Sequence, residues 1–169
     1  RTINHMRDAL PNSQIVVVLP KEHVELWKNI AARFEVAKHD IALGGAERFH
    51  SVKNGIAALS DEVKTIAVHD AVRPLFSKKL IIRLILEAEK HSTVIPTVPP
   101  ADSYRVIEGD SSKIIDRSTL RMVQTPQVFN ARTLRKAYEQ PFSAQFTDDA
   151  SVVESMGGVI TLCEGEREN

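Results

Sequence analysis

Apolar residues in the first half of the chain alternate between a strand pattern and a helix pattern. Short runs with few polar side chains are typical of strands covered on both faces, and they occupy residues 15–19, 40–43, 65–68 and 93–98. Between them, apolar residues recur three and four positions apart, which predicts helices over about 3–10, 24–31, 49–59 and 80–88. Alternation of this kind predicts an α/β fold with a doubly wound, mostly parallel sheet flanked by helices.

After residue 98 the pattern changes. Residues 103–107 and 113–116, joined by a polar loop over 108–112, predict a β-hairpin. Its strands carry too few apolar side chains to be stable alone, so we expect this arm (residues 102–117) to pack against another subunit. The rest of the chain predicts an extended segment over 123–129, a helix over 131–139, a helix capped by Thr147 and a strand over 159–163.

Composition narrows the class of protein. The 169 residues suit a single domain, and the 22 basic and 22 acidic side chains cancel, which argues against a broad nucleic-acid or membrane surface. A lone cysteine, Cys163, cannot form an intrachain disulfide and is expected to be a small core residue. This cysteine usage suits a reducing compartment, so a cytoplasmic protein is expected. No stretch approaches the ~20 apolar residues that cross a bilayer, and no secretion leader opens the sequence.

Candidate chemistry lies just after the predicted strands, where open α/β sheets bind ligands. The glycines of Gly44–Arg48 let a ligand approach the backbone, and the following helix start offers free N–H groups. From the glycines alone, however, a structural strand-to-helix turn is the favoured explanation. His69–Pro74 places an acid and a base at the end of a buried strand. A plain ion pair between Asp70 and Arg73 is the alternative, but position and residue type together favour a functional site.

Two further polar segments are candidates on weaker grounds. An antiparallel hairpin brings its roots together, so Ser103 and Arg117 could bracket one anion, but a simple polar cross-strand pair is favoured on these residues alone. Gln124–Gln127 is a proline-fixed turn in which Thr125 offers a hydroxyl and a backbone amide, and a structural turn explains it as well. The six histidines show no metal-ligand spacing, so no metal site built from protein side chains is expected.

Taken in order, these segments resemble the 2-C-methyl-D-erythritol 4-phosphate cytidylyltransferase family. Gly44–Ser51 resembles the family's G-G-x-x-R-x-x-S, and His69–Pro74 resembles its H-D-A-x-R-P. Asp116–Ser118 resembles its D-R-S/N, and Thr125–Gln127 resembles its T-P-Q. Thr147–Ser151 resembles its T-D-E/D-A-S, and Glu164–Asn169 resembles the approach to its N-x-K-[IV]-T. The likeness runs from Gly44 to Asn169, and six ordered motifs make a chance match improbable.

The resemblance implies a fold, a reaction and partners. The fold would be one Rossmann-like nucleotidyltransferase domain over residues 1–169, with the arm reaching across a homodimer. The reaction would join CTP to methylerythritol phosphate and release pyrophosphate, in the non-mevalonate route to isoprenoids. Mg²⁺ would be the cofactor, held mainly by the phosphates of CTP.

The resemblance also implies roles for particular residues. The catalytic residues would be Asp70, Arg73 and Arg117. Residues expected to contact CTP are Gly45, Ala46, Ser51, Asp70 and Ala71. The acceptor phosphate would be held by Ser103, Arg117 and Thr125, the first two from the partner's arm. Ser103 stands where many relatives have threonine, and Ala46 where some have aspartate.

Two family features have no counterpart in these residues, namely an opening strand with a P-A-A-G-x-G-x-R phosphate loop and a lysine just after Asn169. We expect the protein to extend beyond this sequence, rather than to be a fragment unable to hold CTP. Ribitol 5-phosphate cytidylyltransferase and a truncated non-catalytic relative that binds nucleotide or dimerises are the alternatives. A Rossmann dehydrogenase is disfavoured, because no G-x-G-x-x-G follows the first strand.

Overall fold

Six α-helices and nine β-strands build the chain, and the computed structural model describes all residues from 1 to 169. The helices are α1 (Thr2–Ala9), α2 (Val24–Arg33), α3 (Arg48–Ala57), α4 (Lys78–Lys90), α5 (Ala131–Ala137) and α6 (Asp149–Glu154). The strands are β1 (Val16–Leu19), β2 (Asp40–Leu43), β3 (Thr65–Val68), β4 (Thr93–Val98), β5 (Tyr104–Glu108), β6 (Ser111–Ile115), β7 (Met122–Val123), β8 (Gln127–Asn130) and β9 (Thr161–Glu164). No helix is both long enough and apolar enough to span a membrane.

The apolar patterns and the caps explain most element boundaries. Helix α4 begins at its predicted N-cap, where the hydroxyl of Ser77 accepts a hydrogen bond from the Leu80 amide at 3.0 Å. Strand β4 is buried along its whole length, as its apolar composition predicts. The segment 123–129 divides into β7 and β8 around the cis peptide bond between Thr125 and Pro126.

The main sheet has the strand order β3-β8-β4-β7, with β9 also paired to β4. Strand β8 runs antiparallel to both β3 and β4, and β9 runs parallel to β4. Strands β3, β4 and β9 therefore share one direction, while β1 and β2 form a separate parallel pair. The predicted Rossmann-like α/β class is confirmed, and the antiparallel strand β8 is inserted between β3 and β4.

Two apolar cores lie on opposite faces of the main sheet. Phe129 belongs to a cluster with residues of α3, α5 and α6, whereas the preceding residue, Val128, belongs to a cluster with α4. Successive residues of a strand point to opposite faces, so helices cover both sides of β8. This double cover fixes the carboxyl ends of β3 and β4, where the candidate site lies.

The arm is a two-stranded sheet with no strand partner in the main sheet. Glu108 pairs with Ser111, and Gly109 at φ 58° begins a two-residue turn. The predicted five-residue loop over 108–112 is therefore wrong, because its outer residues continue the strands. Ile107 and Ile114 are more than 70% exposed, and packing of this surface against another subunit stays a prediction.

The cap of α6 also differs from the prediction. Asp148, not Thr147, is the N-cap, since its carboxylate accepts a hydrogen bond from the Ser151 amide at 2.8 Å. The Ser151 hydroxyl accepts one from the Asp148 amide in return, which completes a capping box. Both Thr147 and Asp148 fit an N-cap by residue type, and the capping-box partner three residues further on decides between them. Thr147 is thereby left at the wall of a pocket.

Candidate active site

A polar pocket of about 300 Å³ lies beside the carboxyl end of β3. Eight of its nine lining residues are polar or charged. Among them are Arg48, Asp70, Arg73, Gln124, Thr125 and Thr147. The structure thus brings together three of the predicted site residues, Asp70, Arg73 and Thr125, although 55 positions separate the first from the last along the chain. We call this the polar pocket.

A larger cleft of about 860 Å³ lies between β1 and β3 and is lined mainly by apolar side chains. Its lining includes Ser51, Asp70 and Ala71, three of the residues predicted to contact CTP, together with Arg48. We call this the large cleft. Arg48 and Asp70 line both cavities, so these two side chains form the wall between them.

The loop between β2 and α3 is held by Ser51. Its hydroxyl accepts a hydrogen bond from the Gly45 amide at 3.0 Å and lies 3.2 Å from the carbonyl of Glu47, to which it donates. A Cβ on Gly45 would overlap the Cβ of His50, so the close approach of loop and helix requires glycine. In the structure these residues shape the loop. Contact of Gly45, Ala46 and Ser51 with CTP stays a prediction.

Asp70 lies between two guanidinium groups. Nε of Arg73 is 3.3 Å from Oδ2 of Asp70, and Nη2 of Arg48 is 4.0 Å from Oδ1. Arg73 also donates to the carbonyl of Asn169 at 3.1 Å, which ties the segment after β9 to the polar pocket. The predicted Asp70–Arg73 ion pair therefore exists, and it lies inside the pocket rather than on a free surface.

Thr125 fixes the backbone of Asp70 through a short network. Its hydroxyl accepts a hydrogen bond from the Asp70 amide at 3.0 Å and lies 3.1 Å from Nδ1 of His69. Nε2 of His69 lies 2.9 Å from the carbonyl of Arg73. Because a carbonyl only accepts, Nε2 carries the proton, and Nδ1 accepts from the threonine hydroxyl. Both bonding roles of that hydroxyl are thus taken within the chain, and its contact with an acceptor phosphate stays a prediction.

His69 is held in its neutral form. Burial lowers the pKa of His69, and this outweighs the opposing effects of its hydrogen bond to the Arg73 carbonyl and of the Asp70 charge. A neutral imidazole is what the network requires, since Nδ1 must accept. The histidine therefore acts as a support for the loop.

The sequence patterns did not reveal an ion pair behind the polar pocket. The carboxylate of Asp149 is fully buried and accepts from Nη1 and Nη2 of Arg48 at 3.1 and 2.6 Å. The Tyr138 hydroxyl donates to the same carboxylate. Burial would lower the pKa of Arg48, but the hydrogen bond and charge of Asp149 raise it overall. Burial, reinforced by the Asp149 charge, raises the pKa of Tyr138.

The remaining predicted residues lie at the root of the arm. Arg117 is exposed and donates to the carbonyl of Ala101 at 2.6 Å, and Ser103 is exposed beside it in the hairpin root. Neither lines the polar pocket or the large cleft of its own chain. No group of three or more His, Cys, Asp or Glu side chains forms a metal cluster.

Known proteins share this sequence and fold. The family model of IspD, 2-C-methyl-D-erythritol 4-phosphate cytidylyltransferase, matches residues 1–169. The protein of that name from Bacteroides fragilis is 46% identical over 100% of this chain and 77% of its own length. The one from Bacteroides thetaiotaomicron is 44% identical over 92% of this chain and 71% of its own length. The crystal structure of 4-diphosphocytidyl-2C-methyl-D-erythritol synthase from Anaerococcus prevotii superposes with a TM-score of 0.86 over 99% of this chain and 76% of that one. At 24% identity, this last likeness concerns the fold.

The family match and the curated relatives agree with the order of motifs around the polar pocket. The chain therefore belongs to the 2-C-methyl-D-erythritol 4-phosphate cytidylyltransferase family, which confirms the predicted transfer of a cytidylyl group in the non-mevalonate route to isoprenoids.

Proposed function

We propose that the chain transfers the cytidylyl group of CTP to methylerythritol phosphate at the wall between the large cleft and the polar pocket. The observation that carries this is the position of Asp70, which lines both cavities. Three of the five residues predicted for CTP, Ser51, Asp70 and Ala71, line the large cleft. Arg73 and Thr125 line the polar pocket. CTP and the acceptor would meet at Asp70.

The chemistry requires positioning more than acid–base catalysis. A phosphomonoester has a second pKa of ~6 and is largely dianionic at neutral pH, so its oxygen can attack without a strong general base. That oxygen forms a bond to the α-phosphorus of CTP, the bond to the bridging oxygen breaks, and pyrophosphate leaves. Two anions must be brought together, and guanidinium groups offset their charge. Arg73 supplies one such group beside Asp70.

Mg²⁺ fits this site as a cofactor shared with the substrate. Magnesium in nucleotide sites is bound by one or two carboxylates together with phosphates. Asp70 is the single carboxylate that lines both cavities, and its Oδ1 accepts no hydrogen bond within the chain. When bound, the ion would offset charge on the triphosphate and on the departing pyrophosphate.

A homodimer would complete the acceptor site. The exposed apolar side chains of the arm, Val106, Ile107 and Ile114, supply a surface suited to a second copy of the chain. Arg117 and Ser103 lie outside the pockets of their own chain, which supports their action in the partner's site. We place this dimer in the cytoplasm, since its one cysteine suits a reducing compartment.

Pyrophosphate release from CTP and Mg²⁺ tests the activity. We expect turnover with methylerythritol 4-phosphate and little with ribitol 5-phosphate. Preferential turnover with ribitol 5-phosphate would make the alternative acceptor correct. Absence of turnover with either acceptor in the full-length protein would favour a non-catalytic relative.

Arg117→Ala tests the role of the arm. Loss of a guanidinium that meets a phosphate should lower kcat/KM about 100-fold or more, with the unfolding transition unchanged because the side chain is exposed. Arg105→Ala is the matched control, since Arg105 is also an exposed arm arginine and bonds only to Ser112. Similar activity of the two variants would contradict the assignment of Arg117.

Mixing two inactive variants tests whether the arm acts across the dimer. Arg117→Ala lacks the arm residue and Asp70→Asn lacks the pocket residue, so a mixed dimer would retain one site with both native residues. We expect activity to reappear when the two variants are refolded together. Failure of the mixture to regain activity, with mixed dimers present, would contradict a site shared between subunits.

A further inference from the structure

We propose that Asp149 and Tyr138, which line neither cavity, are positioning residues for the transfer. They hold the guanidinium of Arg48 away from Asp70 and so keep one carboxylate oxygen of Asp70 free for the substrates. The inference rests on the proposed role of Asp70 between CTP and the acceptor.

The distances around Arg48 carry the proposal. Its Nη2 lies 2.6 Å from Oδ2 of Asp149 but 4.0 Å from Oδ1 of Asp70. The same nitrogen therefore bonds the buried carboxylate and stops short of the exposed one. Oδ2 of Asp70 accepts from Arg73, whereas Oδ1 accepts from no side chain or backbone group.

Burial makes the inner pair the stronger of the two. The Asp149 side chain is fully buried, while that of Asp70 is 37% exposed. Electrostatic attraction is stronger where water is excluded, and two parallel N–H bonds fix the plane of the guanidinium. The hydroxyl of Tyr138 occupies the remaining side of the Asp149 carboxylate and holds it in place. Arg48 is thus held by the core rather than by Asp70.

The location of Arg48 gives this restraint a consequence for catalysis. Arg48 is the first residue of α3, directly after the loop predicted to contact CTP, and Asp149 is the first residue of α6. Without the Asp149 charge, the guanidinium would be free to close the 4.0 Å gap and pair with Asp70. Asp70 would then be neutralised on both sides, by Arg48 and by Arg73, and unavailable to the substrates.

Asp149→Asn is the first test in the full-length enzyme. An asparagine keeps the shape but removes the charge that draws Arg48 inward. We expect kcat to fall about tenfold or more, with KM for CTP changed less than about threefold, because the contact acts on the reacting geometry rather than on overall binding. Glu25→Gln, which breaks an exposed ion pair with Lys28, is the control and should leave kcat unchanged.

A rescue experiment separates this role from a purely structural one. In the double variant Arg48→Gln with Asp149→Asn, no guanidinium remains to close on Asp70. We expect the double variant to be about threefold or more faster than Asp149→Asn alone. If the Arg48–Asp149 ion pair only clamps α3 to α6, replacing Arg48 as well as Asp149 should not raise kcat. A double variant no faster than Asp149→Asn would therefore overturn the proposal.

Two further variants cover the other outcomes. Tyr138→Phe removes one hydroxyl and keeps the ring that stacks on Phe49. It tests the positioning role if Asp149→Asn does not fold. We expect a two- to fivefold loss of kcat, on the order of one hydrogen bond's contribution, and an unchanged kcat would overturn the proposal. Asp70→Asn tests the proposed function on which this inference rests. Full activity of that variant would show that Asp70 has no part in the transfer, so that its positioning could not matter either.

Discussion

Replacing Thr125 by valine tests the network that fixes Asp70. Valine has the shape of threonine but no hydroxyl, so the packing of this buried side chain is kept while its hydrogen bonds are lost. The Asp70 amide, now 3.0 Å from the threonine hydroxyl, and Nδ1 of His69, at 3.1 Å, would both lose their partner. The substitution therefore removes one bonding group and leaves two groups unsatisfied.

The size of the effect follows from those two groups. Leaving a buried polar group without a partner costs about 1–3 kcal/mol. His69 and Asp70 are only partly buried, so water can satisfy them in part and the lower half of that range applies to each. We expect Thr125→Val to lower the free energy of unfolding by about 2–4 kcal/mol. We also expect a loss of activity, because the Asp70 backbone is no longer fixed.

Urea denaturation and the pyrophosphate-release assay measure the two effects separately. Thr125→Ser keeps the hydroxyl and should recover most of the stability. Thr119→Val is the matched control, since its exposed hydroxyl makes a single bond to the Asp116 carbonyl, and it should cost less than about 0.5 kcal/mol. Equal urea midpoints for Thr125→Val and the native enzyme would refute the reasoning, as would equal losses for the valine and serine variants.

Three other predictions concern stability. Since the pKa of His69 is lowered from 6.5 in the folded chain, the unfolded chain binds more protons just below pH 6.5. The free energy of unfolding should therefore fall as pH drops below 6.5, and the fall should end once the pH is below the lowered pKa of folded His69. Urea titrations at several pH values should show a weaker fall for His69→Gln than for the native chain. Leu84→Ala in the α4 core should cost about 2–5 kcal/mol by urea denaturation, whereas the half-exposed Leu86→Ala should cost under about 1 kcal/mol, and equal costs would contradict the assigned burial. Gly165→Ala should lower the thermal midpoint, because its Cβ would overlap Oε1 of Gln124, and an unchanged midpoint would show that the glutamine can move away.

The elements were predictable where local signals were strong. Strands β2, β3 and β4 have the predicted bounds, because each is a short, mainly apolar run bordered by polar or turn residues. The cap at Ser77 was predictable, since the hydroxyl needs only the amide three residues ahead. The five-residue hairpin loop and the Thr147 cap were wrong, because each depended on choosing among adjacent polar residues that all fit by type.

The candidate site was predictable in part. Asp70, Arg73 and Thr125 were expected together on the basis of motif order, and the polar pocket does contain all three. The Arg48–Asp149 pair was missed, because its members lie 101 positions apart and Asp149 is adequately explained as an acid in the first turn of a helix. Sequence spacing carries no information about such a contact unless the packing of α3 against α6 is already known.

By itself, the sequence determined the family, the alternation of strands and helices, and the residue types available for phosphate chemistry. These follow from short-range periodicity and from motifs within a few residues of one another. The tertiary structure decided where β8 is inserted, which hydroxyl holds which amide, and which carboxylate Arg48 bonds. Those outcomes depend on burial and on distances between remote segments, since an ion pair or hydrogen bond gains its strength from the water that packing excludes.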